Sequence, residues 1–165
     1  MLGQTIQTQQ KTTATTSSTS SKRHQSVETF FAELTDARPP DEVSAVARFH
    51  EWATEYSVEC KWGTSQMGMM IPIVTHKGIK HYFGWFWTNG KIYVDFRDMR
   101  PNLPFSDLAL REELQRRLEK ISGIPLPPNA VDRQPSINMS AIATEDGLAQ
   151  FLDTFAWYVD TIRSS

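Results

Sequence analysis

Two residue patterns in the central part of the chain could support chemistry. The first is Glu59 followed two positions later by Lys61, within residues 57–63, which are predicted to form a strand. Alternate residues of a strand project to the same side, so the carboxylate and the ammonium would lie together. Nucleases of the PD-(D/E)xK type use such a pair to hold a metal ion and orient water. They also need an acid from a preceding strand, whereas the upstream candidates Asp36 and Asp41 fall at predicted helix ends. The nuclease is therefore held as an alternative.

The second pattern is a hairpin of aromatic and β-branched residues, which spans residues 79–97 around Asn89-Gly90. Asn-Gly is typical of a two-residue type I′ turn, because both residues tolerate positive φ. The turn type fixes the pairing of the two strands. Here it predicts that Trp85 pairs with Val94.

This pairing assigns each hairpin residue to one of two faces. One face is predicted to be a core surface formed by Phe83, Trp85, Trp87, Ile92, Val94 and Phe96. The other face is the candidate binding surface, formed by Lys80, Tyr82, Phe86, Lys91, Tyr93 and Arg97 with Asp95 among them. Aromatic rings on a sheet, surrounded by Lys and Arg, stack bases and hold phosphates in several nucleic-acid-binding modules. Alternatively, a helix covers this face and its lysines extend to the rim.

The charge pattern favours the binding surface locally but not over the whole chain. No acid occurs between Lys61 and Val94, whereas the complete chain has a formal charge of −2 and a pI of about 6.1. No glycine-rich phosphate loop is present, and His76 and His81 have no Cys or acid nearby to complete a metal shell. Cys60 has no partner that would activate it as a nucleophile. No cofactor or metal is predicted.

The elements that position these residues follow from periodicity and capping. Helices are predicted after the capping residues Ser26, Asp41, Ser106 or Asp107, and Thr144. Residues 67–75 are predicted to form a second strand, in which Pro72 indicates an edge or a bulge. An extended segment is predicted over residues 136–143. The predicted fold is α+β, with an antiparallel sheet of three to four strands centred on the tryptophan-rich hairpin and packed against helices.

A tail followed by a single domain is predicted. Residues 1–25 are rich in Gln, Thr and Ser and contain no acid, so they are expected to be disordered. Residues 26–165 are expected to form a single α+β domain. The single cysteine and the absence of an apolar run of about 20 residues predict a cytoplasmic protein without a membrane partner.

The C-terminal third resembles a family of small, uncharacterised, mainly bacterial domains. The resemblance is carried by the segments LREELQRRLEKISGIPLP, RQPSINMSAIA and LAQFLDTFAWYVDTIR. The matching residues are Arg133, Pro135, Ser136, Ile137, Ser140, Trp157 and Arg163. Asn138 stands where a proline is usual in the family, and Gln134 separates Arg133 from Pro135. The resemblance implies a recurring single-domain fold and no particular reaction.

These observations predict a non-catalytic intracellular binding module that acts through the aromatic and basic hairpin face. Its partner would be nucleic acid or another protein. The alternatives are the metal-dependent nuclease using Glu59 and Lys61, and a subunit that buries its aromatic face in a homodimer.

Overall fold

The structure is a computed structural model that describes residues 26–63 and 65–165. The predicted disordered tail, residues 1–25, lies outside the described residues. The helices are α1 (Val27–Ala37), α2 (Pro40–Glu55), α3 (Phe96–Met99), α4 (Leu108–Ser122) and α5 (Glu145–Arg163). The strands are β1 (Glu59–Trp62), β2 (Met69–His76), β3 (Ile79–Tyr82), β4 (Gly84–Trp87), β5 (Lys91–Val94) and β6 (Ser136–Asn138). Short 3₁₀ helices cover Ala130–Asp132 and Met139–Ile142.

Most helices begin where the sequence predicts them to begin. Ser26 forms a capping box with Thr29, and Asp107 caps α4 through the N–H of Ala109. Thr144 caps α5. These side chains accept bonds from N–H groups that would otherwise lack partners. Helix α2 is the exception, since it begins at Pro40 rather than after Asp41. Proline suits the first helical position because its missing N–H is not needed there.

The sheet is antiparallel and contains six strands rather than three to four. Its order is β1-β2-β4-β5-β6, with β3 also paired to β2. Thus β3 and β4 share one edge of β2, with Ile73 opposite Tyr82 and Met70 opposite Phe86. Three residues, 83–85, lie opposite two residues of β2, which is a β-bulge. Gly84, within this bulge, is required to be glycine, because a Cβ there would lie 1.8 Å from the carbonyl oxygen of Tyr93.

The bulge explains how Pro72 fits into β2, which is an interior strand. Its missing N–H falls opposite the bulge, where the ladder to β3 and β4 is interrupted. The predicted edge position of this strand is therefore wrong, and the bulge lies in the partner segment, residues 83–85, rather than in β2 itself.

The predicted hairpin register is wrong by one residue. Trp85 pairs with Tyr93 rather than Val94. The N–H of Gly90 donates to the carbonyl oxygen of Trp87 at 3.1 Å, and Gly90 has a φ of +93°. The connection is therefore a three-residue loop with glycine in the left-handed region, the next most common type after two-residue turns. Thr88 at the turn is buried.

A helix holds this turn in place. Glu33 of α1 accepts hydrogen bonds from the hydroxyl of Thr88 and, at 2.6 Å, from the N–H of Gly68. The N–H of Thr88 also donates to the carbonyl oxygen of Gly68 at 3.1 Å. Tertiary contacts, not the Asn-Gly pair, thus select the turn. The consequence of the shifted register is that every β4 side chain lies on the face opposite to the predicted one.

The helices pack on one side of the sheet, which we call the inner face. Its side chains are Cys60, Trp62, Met70, Val74, His81, Phe83, Phe86, Ile92, Val94 and Ile137. The ring of Phe86 lies 4.8 Å from Phe49 of α2, and Phe83 lies 4.6 Å from Phe155 of α5. Trp62 lies 5.5 Å from Phe30 of α1. The α+β class with helices against an antiparallel sheet is confirmed.

The short helix α3 was not predicted. Asp95 caps it by accepting a bond from the N–H of Asp98 at 3.2 Å. The predicted hairpin strand consequently ends at Val94, and Phe96 and Arg97 belong to the helix. Across residues 26–63 and 65–165, no helix is long and apolar enough to span a membrane.

Candidate functional site

The side of the sheet opposite the helices, which we call the outer face, is the candidate site. Residues directly opposite each other in paired strands share a face. The outer face therefore carries Glu59, Lys61, Met69, Ile71, Ile73, Thr75, Lys80, Tyr82, Trp85, Trp87, Lys91, Tyr93, Ser136 and Asn138.

The outer face is not covered by the helices. The buried core cluster contains most apolar residues of the inner face and side chains from all five helices, and Cys60 and Trp62 pack against it. The outer apolar side chains Met69, Ile71, Trp85, Trp87 and Tyr93 are half-buried and neither belong to this cluster nor pack against it, and Ile73, which is buried on the outer face, also lies outside it. The alternative that a helix covers the aromatic face is therefore wrong.

An aromatic pair occupies the middle of this face. Trp85 and Tyr93 are direct partners in β4 and β5, and their rings stack with centroids 5.6 Å apart and planes 14° apart. Trp87 lies opposite Met69, and Tyr82 is 37% exposed.

Trp85 carries an unusual polar atom. Its indole Nε1 is buried and has no hydrogen-bond partner within residues 26–63 and 65–165. A buried donor without a partner costs about 1–3 kcal/mol. Among the described residues, the outer face therefore contains one buried N–H group, that of Trp85, without a hydrogen-bond acceptor.

Charge on the outer face is mostly positive. Among the outward-facing residues of the six described strands, three are lysines, Lys61, Lys80 and Lys91 on β1, β3 and β5, and one, Glu59, is an acid. The ammonium of Lys91 donates to Oδ1 of Asn138 at 2.8 Å, a neutral partner that leaves its charge uncompensated. Positive charge thus extends across most of the width of the sheet.

Four of the six predicted binding residues lie on this face. Lys80 and Tyr82 are on β3, and Lys91 and Tyr93 are on β5, all at outer-face positions. Phe86 is a correction, because it is 0% exposed on the inner face as a result of the shifted register.

Arg97 also departs from the predicted site. It is exposed on α3, and its backbone N–H donates to the carbonyl oxygen of Arg133 at 3.2 Å. It does not belong to a strand, because the sheet ends before the helix that Asp95 caps. It therefore takes no part in the outer face.

The sequence prediction missed Trp85, Trp87, Met69 and Ile71 as outer-face residues. One signal could have identified the two tryptophans. A glycine inside a strand, here Gly84, marks a bulge, and a bulge interrupts the alternation of faces.

The two residues of the nuclease alternative are placed as that hypothesis requires, but without further support. Glu59 and Lys61 are exposed on the outer face of the edge strand β1. Among the described residues, no group of three or more His, Cys, Asp or Glu could hold a metal ion. The alternative stays a prediction.

Cys60, between them, lies on the inner face. Burial raises the pKa of its thiol to about 12, with a smaller contribution from the charge of Glu59. A thiol with such a pKa is protonated at neutral pH and is a poor nucleophile. This agrees with the lack of an activating partner in the sequence.

The residues that carry the family resemblance have structural contacts. Trp157 lies under the guanidinium of Arg117, with the Cζ atom 4.4 Å from the ring centroid. Arg163 donates to the carbonyl oxygen of Ser57 at 3.0 Å, and Ile137 is buried. These contacts join α5 to α4 and to the segment before β1.

Comparison with known proteins gives no family and no relative. No family model, no curated protein and no solved structure matches the chain.

Proposed function

We propose that this chain is a non-catalytic binding module that holds single-stranded nucleic acid on its outer face. The observation that carries the proposal is the stacked pair Trp85–Tyr93 on an uncovered face with three lysines and one acid. The single cysteine, Cys60, fits a reducing compartment, so the cytoplasm belongs to the same proposal.

The aromatic side chains supply affinity that does not depend on sequence. Every base has a π-face, and stacking on a protein ring contributes about 1–3 kcal/mol per base. Trp85 and Tyr93 are half-buried, and Tyr82, which is exposed, precedes them across the bulge. An unpaired strand can present its bases to these rings, whereas the bases of a duplex are stacked on each other. This favours single strands.

The lysines supply attraction to phosphates. The complete chain has a formal charge of −2, so its net charge does not favour phosphate, and the proposed attraction depends on these lysines. Lys61 and Lys80 are exposed near the periphery of the sheet, on β1 and β3. Each lysine that neutralises a phosphate releases counterions, so binding should weaken as salt rises.

The test is titration of a fluorescein-labelled oligothymidylate at about 50 and about 200 mM salt. The affinity should fall steeply with salt, and the double variant Lys61→Gln/Lys80→Gln should bind more weakly with a salt slope lower by about two. The matched control is Arg48→Gln/Lys120→Gln, which removes the same charge from exposed positions of α2 and α4. The control should bind like the wild type.

Two outcomes would overturn the proposal. Equal loss of affinity in both double variants would indicate non-specific attraction. Absence of binding at low salt would leave the outer face as a protein interface, and sedimentation would then reveal whether a second copy covers it.

A further inference from the structure

A groove runs along the β6 edge of the sheet. Strand β6 is the last strand and pairs with β5. The groove has a volume of about 290 Å³, with Lys91, Ser136 and Asn138 on the strand side and Ile124, Pro125 and Pro127 on the opposite wall. It lies beside the proposed nucleic-acid surface, but Lys61 and Lys80 do not line it.

The hydrogen bonds between β5 and β6 determine which groups face the groove. The N–H of Met139 donates to the carbonyl oxygen of Gly90 at 2.8 Å, and the N–H of Val94 donates to that of Pro135 at 2.9 Å. Bonded and non-bonded pairs alternate along an antiparallel ladder. Ile137, midway between Pro135 and Met139, is therefore the β6 residue that exchanges bonds with β5.

Ser136 and Asn138, on either side of Ile137, point their main-chain groups away from β5. These groups are the N–H and carbonyl of Ser136 and the N–H of Asn138, and none has a main-chain partner among the described residues. The carbonyl of Asn138 opens the 3₁₀ helix that follows. Unpaired groups on an edge strand form a template for another extended chain.

The wall of the groove opposite β6 can contact the side chains of a bound peptide but offers few main-chain hydrogen bonds. Ile124 is 61% exposed, and Pro125 and Pro127 have no N–H to donate. An incoming strand can therefore obtain main-chain bonds from β6, while its side chains rest on an apolar wall. This is how extended peptides add to the edge of a sheet.

The charge of the groove selects among peptides. Lys91 is the one ionised side chain among the residues that line it, and no acid lines it. The first 25 residues of the chain also contain no acid, so charge favours a separate partner. We propose that an extended acidic peptide of a partner protein adds to β6 as a seventh strand, with a carboxylate near Lys91.

The test uses a labelled peptide of alternating valine and aspartate with the full chain. Fluorescence anisotropy should show saturable binding, and hydrogen exchange followed by NMR should show protection of the Ser136 and Asn138 amides. Peptides N-methylated at every second residue, in either register, serve as controls. The register that blocks pairing should bind at least about tenfold more weakly, the effect of one lost hydrogen bond.

Protein variants test the same edge from the other side. Ser136→Pro removes an outward N–H without removing a bond to β5, and should weaken binding about tenfold. If that variant does not fold, Ala141→Leu, which narrows the groove, should give a similar loss. Lys91→Gln should weaken binding mainly at low salt, whereas Lys80→Gln, on β3, should not.

Three results would overturn the inference: no saturable binding, equal binding of both N-methylated registers, or protection of amides outside β6. Protection of Ser136 and Asn138 by the oligothymidylate instead of the peptide would assign the groove to nucleic acid. Failure of the oligonucleotide titration would not affect the peptide test, because Lys61 and Lys80 lie outside the groove.

Discussion

The two faces of the sheet carry similar aromatic side chains in different surroundings. Phe86 on the inner face is fully buried, and its ring lies 4.8 Å from Phe49 and 6.0 Å from Phe151. Its neighbour Trp85 on the outer face packs against Tyr93, outside the core cluster. Aromatic character alone therefore does not indicate which face forms the core. The covering helices decide it, and an aromatic face left without helices is available for a partner.

The largest expected effect is the difference in stability lost when an aromatic residue of each face is replaced by alanine. We expect Phe86→Ala to lower the free energy of unfolding by about 3–5 kcal/mol, since it leaves a cavity among helices α2 and α5. Tyr93→Ala should cost about 1–2 kcal/mol, because it removes a half-buried ring and one stacking contact. Urea denaturation of both variants measures the difference. Equal losses would contradict the assignment of Phe86 to the core and Tyr93 to the open face.

The helices and the fold class could be predicted because their signals are local. Ser26, Asp107 and Thr144 cap helices where the sequence places such residues before an apolar stripe. These signals depend on neighbours three or four positions away. The same locality explains why α+β was predicted correctly.

The register of the hairpin could not be predicted from the Asn-Gly pair, because distant contacts decide it. Glu33, 55 positions away from Thr88 along the chain, holds the turn, and Gly84 permits the bulge before β4. A shift of one residue exchanges the faces of a strand. The lysines and tyrosines of the predicted hairpin surface, Lys80, Tyr82, Lys91 and Tyr93, lie on β3 and β5 and kept their predicted face, whereas Phe86, on β4, did not.

The next effect in size is a difference in thiol reaction rate between the inner and outer faces of β1. Cys60 is on the inner face with a pKa raised to about 12, whereas the adjacent Lys61 is exposed on the outer face. We expect the variant Cys60→Ala/Lys61→Cys to react with a thiol reagent at neutral pH at least about a hundredfold faster than the wild type. The absorbance of the chromophore released by the reagent measures both reaction rates. A denatured sample of each protein gives the rate for a fully exposed thiol. Similar rates in the native proteins would contradict the inner position of Cys60.

The raised pKa of Cys60 also predicts a pH dependence. The unfolded thiol ionises near its ordinary pKa of 9.0, whereas the folded thiol keeps its proton until about pH 12. The unfolded state therefore loses a proton first, and the contribution of Cys60 to stability is present below pH 9 and declines above it. In the variant Cys60→Ala, the free energy of unfolding should lack this part of the decline above pH 9.

The smallest expected effect concerns Glu59, the one acid on the outer face. If the face binds nucleic acid, Glu59→Gln removes a repulsive charge and should tighten oligonucleotide binding about twofold, the scale of an exposed charge interaction. The matched control Glu55→Gln removes a charge from an exposed position of α2 and should leave affinity unchanged. The same samples, incubated with Mg²⁺ and a labelled oligonucleotide, test the nuclease alternative. Cleavage by the wild type that is lost in Glu59→Gln and kept in Glu55→Gln would establish Glu59 as a metal-dependent catalytic residue and refute the binding module. Tighter binding without cleavage would instead identify Glu59 as the residue that limits the positive charge of the outer face.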